Sequence, residues 1–354
     1  MVNIQETSLR KHVLDLIGAF LYKEKFPTSN CLAEGILNLI DSTSSYREEG
    51  VDLFPEIFIT DKIDEVLRTL PFCKKVEIGS KAISVKEFSQ ALKLCAPLSK
   101  DGWVIYMNIS EAELKYGLVS SEISELSPTF RKQAVGELSQ NSNDYAIAYL
   151  QNAGNKSVLL VGSETEASAL ICLSLNDREV ALGESLNKVC AAITQNIEHR
   201  YKETCCSYFE KVIGNALIQG HGNLIGVVKD DTDAIQKLKE RHPDGIYLVD
   251  SIDICDLVIQ SEDQKTSEAS TSNRLHSSLL QSMLNHDGLT VFSSKGKVLG
   301  YHVFVKSDGS EGGDVVGGAR TRAYEVIKSS NVFECCFYKS QDGNEKIWSK
   351  PNEQ

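Results

Sequence analysis

The sequence predicts an α/β protein of two domains, on three observations. Short β-rich apolar runs alternate with stretches of helical periodicity, as in chains that layer helices on sheets. The length of 354 residues suits about two cores, at roughly 100–200 residues per domain. A composition of 42% hydrophobic and 24% charged residues disfavours fibrous, disordered and repeat-array readings.

Taken in order, Leu9, Val13, Leu16, Ile17, Phe20 and Leu21 recur at helical spacing, and Leu32, Ile36, Leu37 and Ile40 repeat the pattern, so two amphipathic helices open the chain. Five β-rich runs follow: EIFIT at 56–60, WVIYM at 103–107, YAIAYL at 145–150, SVLLVG at 157–162 and ALICLSL at 169–175. Helical or turn-rich stretches separate them, which predicts an α/β or α+β domain over residues 1–190. Next, Tyr201, Cys205, Phe209, Val212, Ile213, Ala216 and Leu217 form one helical stripe, followed by a buried strand at 224–228. The polar stretch SEDQKTSEASTSN at 261–273 has almost nothing apolar to anchor it and reads as a mobile loop. Beyond it, Leu275, Leu279, Leu280, Met283 and Leu284 form the inward stripe of a helix that ends at the turn-forming group Asn285-His286-Asp287-Gly288. Strands at 289–292 and 298–305, joined by a hairpin turn, and a later strand at 332–338 complete the pattern.

Charge and cysteine usage narrow the function. With 37 Lys+Arg against 49 Asp+Glu, the formal net charge of −12 opposes a broad grip on nucleic acid, because phosphate binding needs clustered cations. A local basic pocket stays open. No apolar run approaches the ~18–20 residues that cross a bilayer, and the opening segment lacks a signal-peptide core, so a soluble, cytoplasmic protein without a membrane partner is expected. The ten cysteines contain no C-x-x-C pair, and several sit in apolar runs. Buried free thiols in a reducing compartment are expected over a zinc site or a disulfide framework.

One region carries chemistry. Residues 306–322 read KSDGSEGGDVVGGARTR and continue into the helical stretch AYEVIKSS. A glycine-rich loop that opens a helix lets backbone N–H groups approach an anion where the helix dipole is positive. Arg320 and Arg322 are two apart and can face one polyphosphate only at or just before the first helical turn, which their place after Gly317-Gly318 allows. Asp287-Gly288 falls between a helix and a strand, where a carboxylate can point into a cleft and hold a divalent cation or accept a hydroxyl proton. Ser340-Gln341-Asp342-Gly343 follows the strand at 332–338, and its Asp-Gly also suits a plain hairpin turn.

These features have an order: His221-Gly222, a strand, a helix, Asp287-Gly288-Leu289, a hairpin, Gly318-Ala319-Arg320-Thr321-Arg322 opening a helix, a strand, and Ser340-Gln341-Asp342-Gly343. The order resembles the diadenylate cyclase (DAC, or DisA_N-type) domain, with its Asp-Gly-Ala, Gly-Thr-Arg-His-Arg and Ser-Glu-Glu motifs, over roughly residues 197–350. The resemblance implies a mixed-sheet domain flanked by helices, over 197–354, that takes ATP and Mg²⁺ or Mn²⁺ and joins two ATP into cyclic di-AMP with release of pyrophosphate. Under it, Asp287 takes part in metal binding and in activating the 3′-hydroxyl, with Asp342 as the second metal carboxylate. Arg320 and Arg322 contact phosphates, as does Ser340. Gly288, Leu289, Gly318, Ala319 and Thr321 complete the nucleotide-binding set. Because each such domain brings half of the chemistry, a homodimer or larger homo-oligomer is implied.

The sequence departs from the family pattern at Leu289 for alanine, Ala319 for threonine, Thr321 for histidine, Gln341 for glutamate and Asp342 for glutamate. The alternative function is therefore a catalytically degenerate nucleotide sensor. Residues 1–190 carry no comparable signature. His12, His199 and His242 are scattered, Lys74-Lys75 reads as a solvated face, and the resemblance implies a sensor or regulatory domain there.

Overall fold

The computed structural model describes residues 8–351, apart from 28, 71, 111, 136–144, 155, 164–168, 174–183, 220–221, 306–318 and 341–344. The chain is mixed α/β, with helices packed on two mixed sheets. It divides into two compact units, residues 1–123 with 127–177, and residues 124–126 with 178–354. Among the described residues no helix is long and apolar enough to cross a membrane.

The first unit opens with α1 (Leu9–Lys23) and α2 (Asn30–Thr43). Ser8 caps α1, its Oγ accepting from the Lys11 N–H at 3.2 Å. Val13, Ile17, Phe20 and Leu21 are buried as the periodicity predicts, whereas Leu9 is exposed. A short ribbon of β1 (Arg47–Glu48) and β2 (Val51–Asp52) precedes β3 (Ile57–Thr60), α3 (Ile63–Thr69), β4 (Lys74–Ala82), α4 (Val85–Cys95), β5 (Val104–Ile109) and β6 (Glu113–Ser120). Then come α5 (Phe130–Ala134), β7 (Ile147–Gly154), β8 (Ser157–Val161) and β9 (Ala169–Cys172). The sheet order is β4-β6-β5-β3-β7-β8-β9. Side chains alternate across it, so Ile57, Ile105 and Leu150 face the helices α1, α2 and α4 while Phe58, Tyr106 and Tyr149 face α3 and α5. The predicted charge run at Lys74-Lys75 is indeed solvated, but as the start of an edge strand, β4.

The second unit begins with α6 (Glu184–Ile193), so the division falls nearer residue 177 than 190. It continues through α7 (His199–Gln219), β10 (Asn223–Val228), α8 (Thr232–Arg241), β11 (Ile246–Asp253), α9 (Ile254–Gln264) and α10 (Ser267–Leu284). It closes with β12 (Leu289–Ser293), β13 (Lys297–Val303), α11 (Ala319–Ser329), β14 (Phe333–Lys339) and β15 (Glu345–Ser349), in the sheet order β11-β13-β12-β10-β14-β15. Cys205, Phe209 and Val212 of α7 pack with Ile225, Phe292 and Phe337 on one face. Leu224, Leu289, Val291 and Phe333 pack with Ile327 of α11 on the other.

The stretch at 261–273 is not a loop. It spans the end of α9 and the start of α10, because Thr266 serves as N-cap, its Oγ1 accepting from the Ala269 N–H at 3.2 Å. Asn273 and Ser277 face inward while Leu275 and Leu279 are exposed, so the inward stripe of α10 is Leu280, Met283 and Leu284 preceded by small polar residues.

The two sheets share one plan. The order β4-β6-β5-β3-β7-β8 in the first unit matches β11-β13-β12-β10-β14-β15 in the second, strand for strand in chain sequence. The polarity matches too: β3/β5 and β10/β12 are parallel and every other corresponding pair is antiparallel. Even a glycine recurs in the fourth strand of each. A Cβ on Gly117 would lie 2.0 Å from the Val76 carbonyl oxygen, and one on Gly300 would lie 2.8 Å from that of Ile246, where the outer strand crosses closest. The chain is thus an internal structural repeat, with β9 as an addition to the first copy.

Candidate functional site

Strand direction gathers the predicted residues at one end of the second sheet. β10 and β12 are parallel, with Leu224 opposite Leu289, so both begin at that end. β14 runs antiparallel to β10, with Lys339 opposite Asn223, so it finishes there. Gly288 precedes β12 and Ser340 follows β14, which places them two strand spacings apart, about 10 Å. The helix α11 also starts there, and its second residue, Arg320, donates from Nη2 to Asp287 Oδ1 at 3.1 Å.

The magnitude of that contact matters. The Asp287 side chain is 66% exposed and that of Arg320 31%, and an ion pair so open to water contributes only ~0–1 kcal/mol. That pair contributes little to holding the fold together.

The turn that carries Asp287 is, by contrast, fixed. Gly288 has φ +97°, a left-handed conformation that favours glycine, and a Cβ there would lie 3.0 Å from the backbone of His302. His302 Nδ1 lies 2.6 Å from the Asp287 carbonyl oxygen and 3.0 Å from His286 Nδ1. The carbonyl can only accept, which puts a proton on His302 Nδ1, and His286 Nδ1 lies 3.4 Å from the same oxygen. Two imidazoles therefore brace the Asp287 turn. Sequence reasoning missed them: His286 lay in the predicted turn group, but nothing in a linear reading brings His302 beside it.

The remaining predicted residues separate by role. Thr321 Oγ1 and the Tyr338 hydroxyl meet at 3.2 Å, tying the first turn of α11 to β14. Arg322 is exposed, Ala319 opens the helix, and Ser340 is partly buried. Leu289 is fully buried among Leu224, Val291 and Phe333, so its side chain belongs to the core and not to the surface beside Asp287. His221, Gly317, Gly318, Gln341, Asp342 and Gly343 lie outside the described residues.

One further ionic feature ends β14. Lys339 and Glu345 face each other at 3.7 Å, both largely buried. Burial pulls the Lys339 ammonium below its usual value and pushes the Glu345 carboxyl above its own, and each partner opposes the other's shift. Lys339 shares its strand face with Phe337, opposite to Tyr338 and α11, so the pair fixes the strand end from the side away from Arg320.

Compared with protein-family models, curated proteins and solved structures, the chain matches none.

Proposed function

We propose that the second unit is a diadenylate cyclase domain, acting in the cytoplasm as a homodimer or larger homo-oligomer, that joins two ATP molecules into cyclic di-AMP. The observation that carries the reading is the meeting of Arg320 with Asp287 at the shared end of β10, β12 and β14. In each half-reaction a ribose 3′-oxygen bonds to the α-phosphorus of the opposite ATP and the bond from that phosphorus to pyrophosphate breaks. The hydroxyl proton passes to Asp287 or to solvent. Arg320 moves from Asp287 to the α-phosphate oxygens, where negative charge accumulates, and Arg322 takes the departing phosphates. Gly288 leaves the backbone bare so that adenosine lies against the turn.

The Asp287 carboxylate is mostly exposed and would offer an oxygen to a divalent cation. Asp287 with Asp342 would hold it, and the chemistry it would supply is to polarise the phosphate and lower the pKa of the attacking hydroxyl. The first unit acts, in this reading, as a sensor that controls how the cyclase domains pair.

The test is to incubate the purified chain with ATP and Mn²⁺ or Mg²⁺ and to separate the products by chromatography. A cyclic dinucleotide is the expected result. ATP binding without product would favour a second reading, a nucleotide sensor, which draws on the substituted positions Ala319, Thr321 and Gln341. Absence of both binding and product would remove both readings.

A further inference from the structure

The first unit has an open cleft that the nucleotide reading does not use. It is a cavity of about 290 Å³ at the carboxyl ends of the parallel strands β3 and β5, beside α3. That lies near the lower end of the ~300–1,000 Å³ range of small-molecule sites. Ligands of open α/β sheets collect at such strand ends, where the chain reverses its order across the sheet.

The cleft has rigid walls. Asp61 Oδ1 accepts from the Ala146 N–H at 2.8 Å, and Asn108 Oδ1 accepts from the Ile63 N–H at 2.7 Å. Most of its charges are already matched: Lys75 pairs with Asp64 at 2.5 Å, Lys62 with Glu65 at 3.6 Å and Lys115 with Glu113 at 3.5 Å. Four groups on its wall remain. Asp61, Arg68 and Glu77 form no ion pair among the described residues. Tyr106 is fully buried, yet its hydroxyl has no hydrogen-bond partner among them. A buried hydroxyl left unmatched forfeits the hydrogen bonds that water would give it. Burial and the nearby carboxylates of Glu77 and Asp64 push its pKa up, so it stays protonated and available as a donor.

We propose that this cleft binds a small zwitterion of the α-amino-acid class, its carboxylate on Arg68 and the Tyr106 hydroxyl and its ammonium on Glu77. One unmatched cation, two carboxylates without an ion partner and one buried donor suit the carboxylate and ammonium of such a molecule. A polyphosphate would meet the carboxylates of Asp61, Asp64, Glu65 and Glu77, and a simple cation would leave Arg68 and Tyr106 without a role. The proposal deepens the sensor reading of the first unit. Its test reads binding directly, so it stands or falls independently of cyclase activity.

The full chain is titrated calorimetrically with each of the common free L-α-amino acids, and with inorganic phosphate and glucose for comparison. At least one amino acid should bind. Arg68→Gln and Glu77→Gln, both at exposed positions that leave the fold intact, should each weaken it about tenfold, and Tyr106→Phe several-fold. Asp287→Asn should leave it unchanged. No binding by any amino acid at ~10 mM, a level corresponding to less than about 3 kcal/mol, overturns the proposal. So does binding indifferent to Arg68→Gln and Glu77→Gln, or a preference for phosphate.

Discussion

The two units carry one strand plan and leave opposite ends of it open. In the second unit the end where β10 and β12 begin is open, with the Asp287 side chain 66% exposed. The corresponding end of the first unit has the same turn, Asp101-Gly102 before β5, again with a glycine at positive φ. It also has the same residue at the second helical position, Arg131 in α5 for Arg320 in α11. There, however, its own side chains fill it. Glu122 lies 3.1 Å from where a Cβ on Gly102 would be, and its Oε1 accepts from the Phe130 N–H. Arg131 donates to Gln151, and Gln151 and the Tyr149 hydroxyl donate to Glu56. At the opposite end the roles reverse. In the second unit Asp230, its side chain 9% exposed, is closed off by Lys295 and Lys297 at 3.5 and 3.3 Å, whereas the first unit has the cleft with the unmatched Tyr106. A shared strand plan therefore does not decide which end of the sheet its own side chains fill.

The largest test of that contrast pairs the two aspartates. Asp287→Asn should lower cyclic dinucleotide formation by about 100-fold or more, as loss of a group handling the transferred proton does. Asp101→Asn, at the equivalent turn, should leave turnover unchanged, and equal losses at both would erase the difference. Alanine at the recurrent glycines probes what the units share. Gly117→Ala and Gly300→Ala each push a methyl into a backbone carbonyl and should cost about 1–3 kcal/mol in chemical denaturation, more at Gly117. A neutral result at either would break the structural equivalence. Arg320→Lys replaces a planar fork by a point charge and should reduce turnover about tenfold, while Arg131→Lys should not alter it.

The smallest effect is one of pH. Burial raises the Glu56 carboxyl, with the Tyr149 hydroxyl, Arg131 and Gln151 opposing. A carboxyl raised on folding favours the native state most below its unfolded value of about 4.3, and that contribution is lost as pH rises through the folded value. Glu56→Gln should therefore melt slightly above the wild type at pH 7. The gap should narrow as the solution is acidified, and a gap that widened instead would contradict the burial argument.

Much of this was legible from residue order. The stripes of α1, α2 and α7 and the apolar runs of β3, β5, β8 and β10 announce themselves because both faces of each sheet are covered. The outer strands β4 and β11 do not, since their residues are mostly exposed and Val249 is almost fully so. The 261–273 stretch misled because cap formers such as Thr266 and inward-facing Asn273 and Ser277 carry the composition of a loop. Asp287 and Arg320 were each singled out through a motif, one for metal and hydroxyl and one for phosphate, and their side chains lie 3.1 Å apart. His302 was not, because its nearness to Asp287 follows from the β12–β13 hairpin and the close approach at Gly288. The strand-by-strand repeat leaves little trace in the letters beyond Asp-Gly and a few glycines.

The central parallel pair of each sheet has a kinetic consequence. β3 must wait for β5 across residues 61–103, and β10 for β12 across residues 229–288, whereas hairpins such as β12–β13 close locally. Long-range pairing of this kind is slow. On the ribosome, the apolar segment Asn223–Val228 therefore emerges with both of its edges bare. Nascent chains stalled before residue 289 should be the ones that chaperones hold most tightly, or that clump without them.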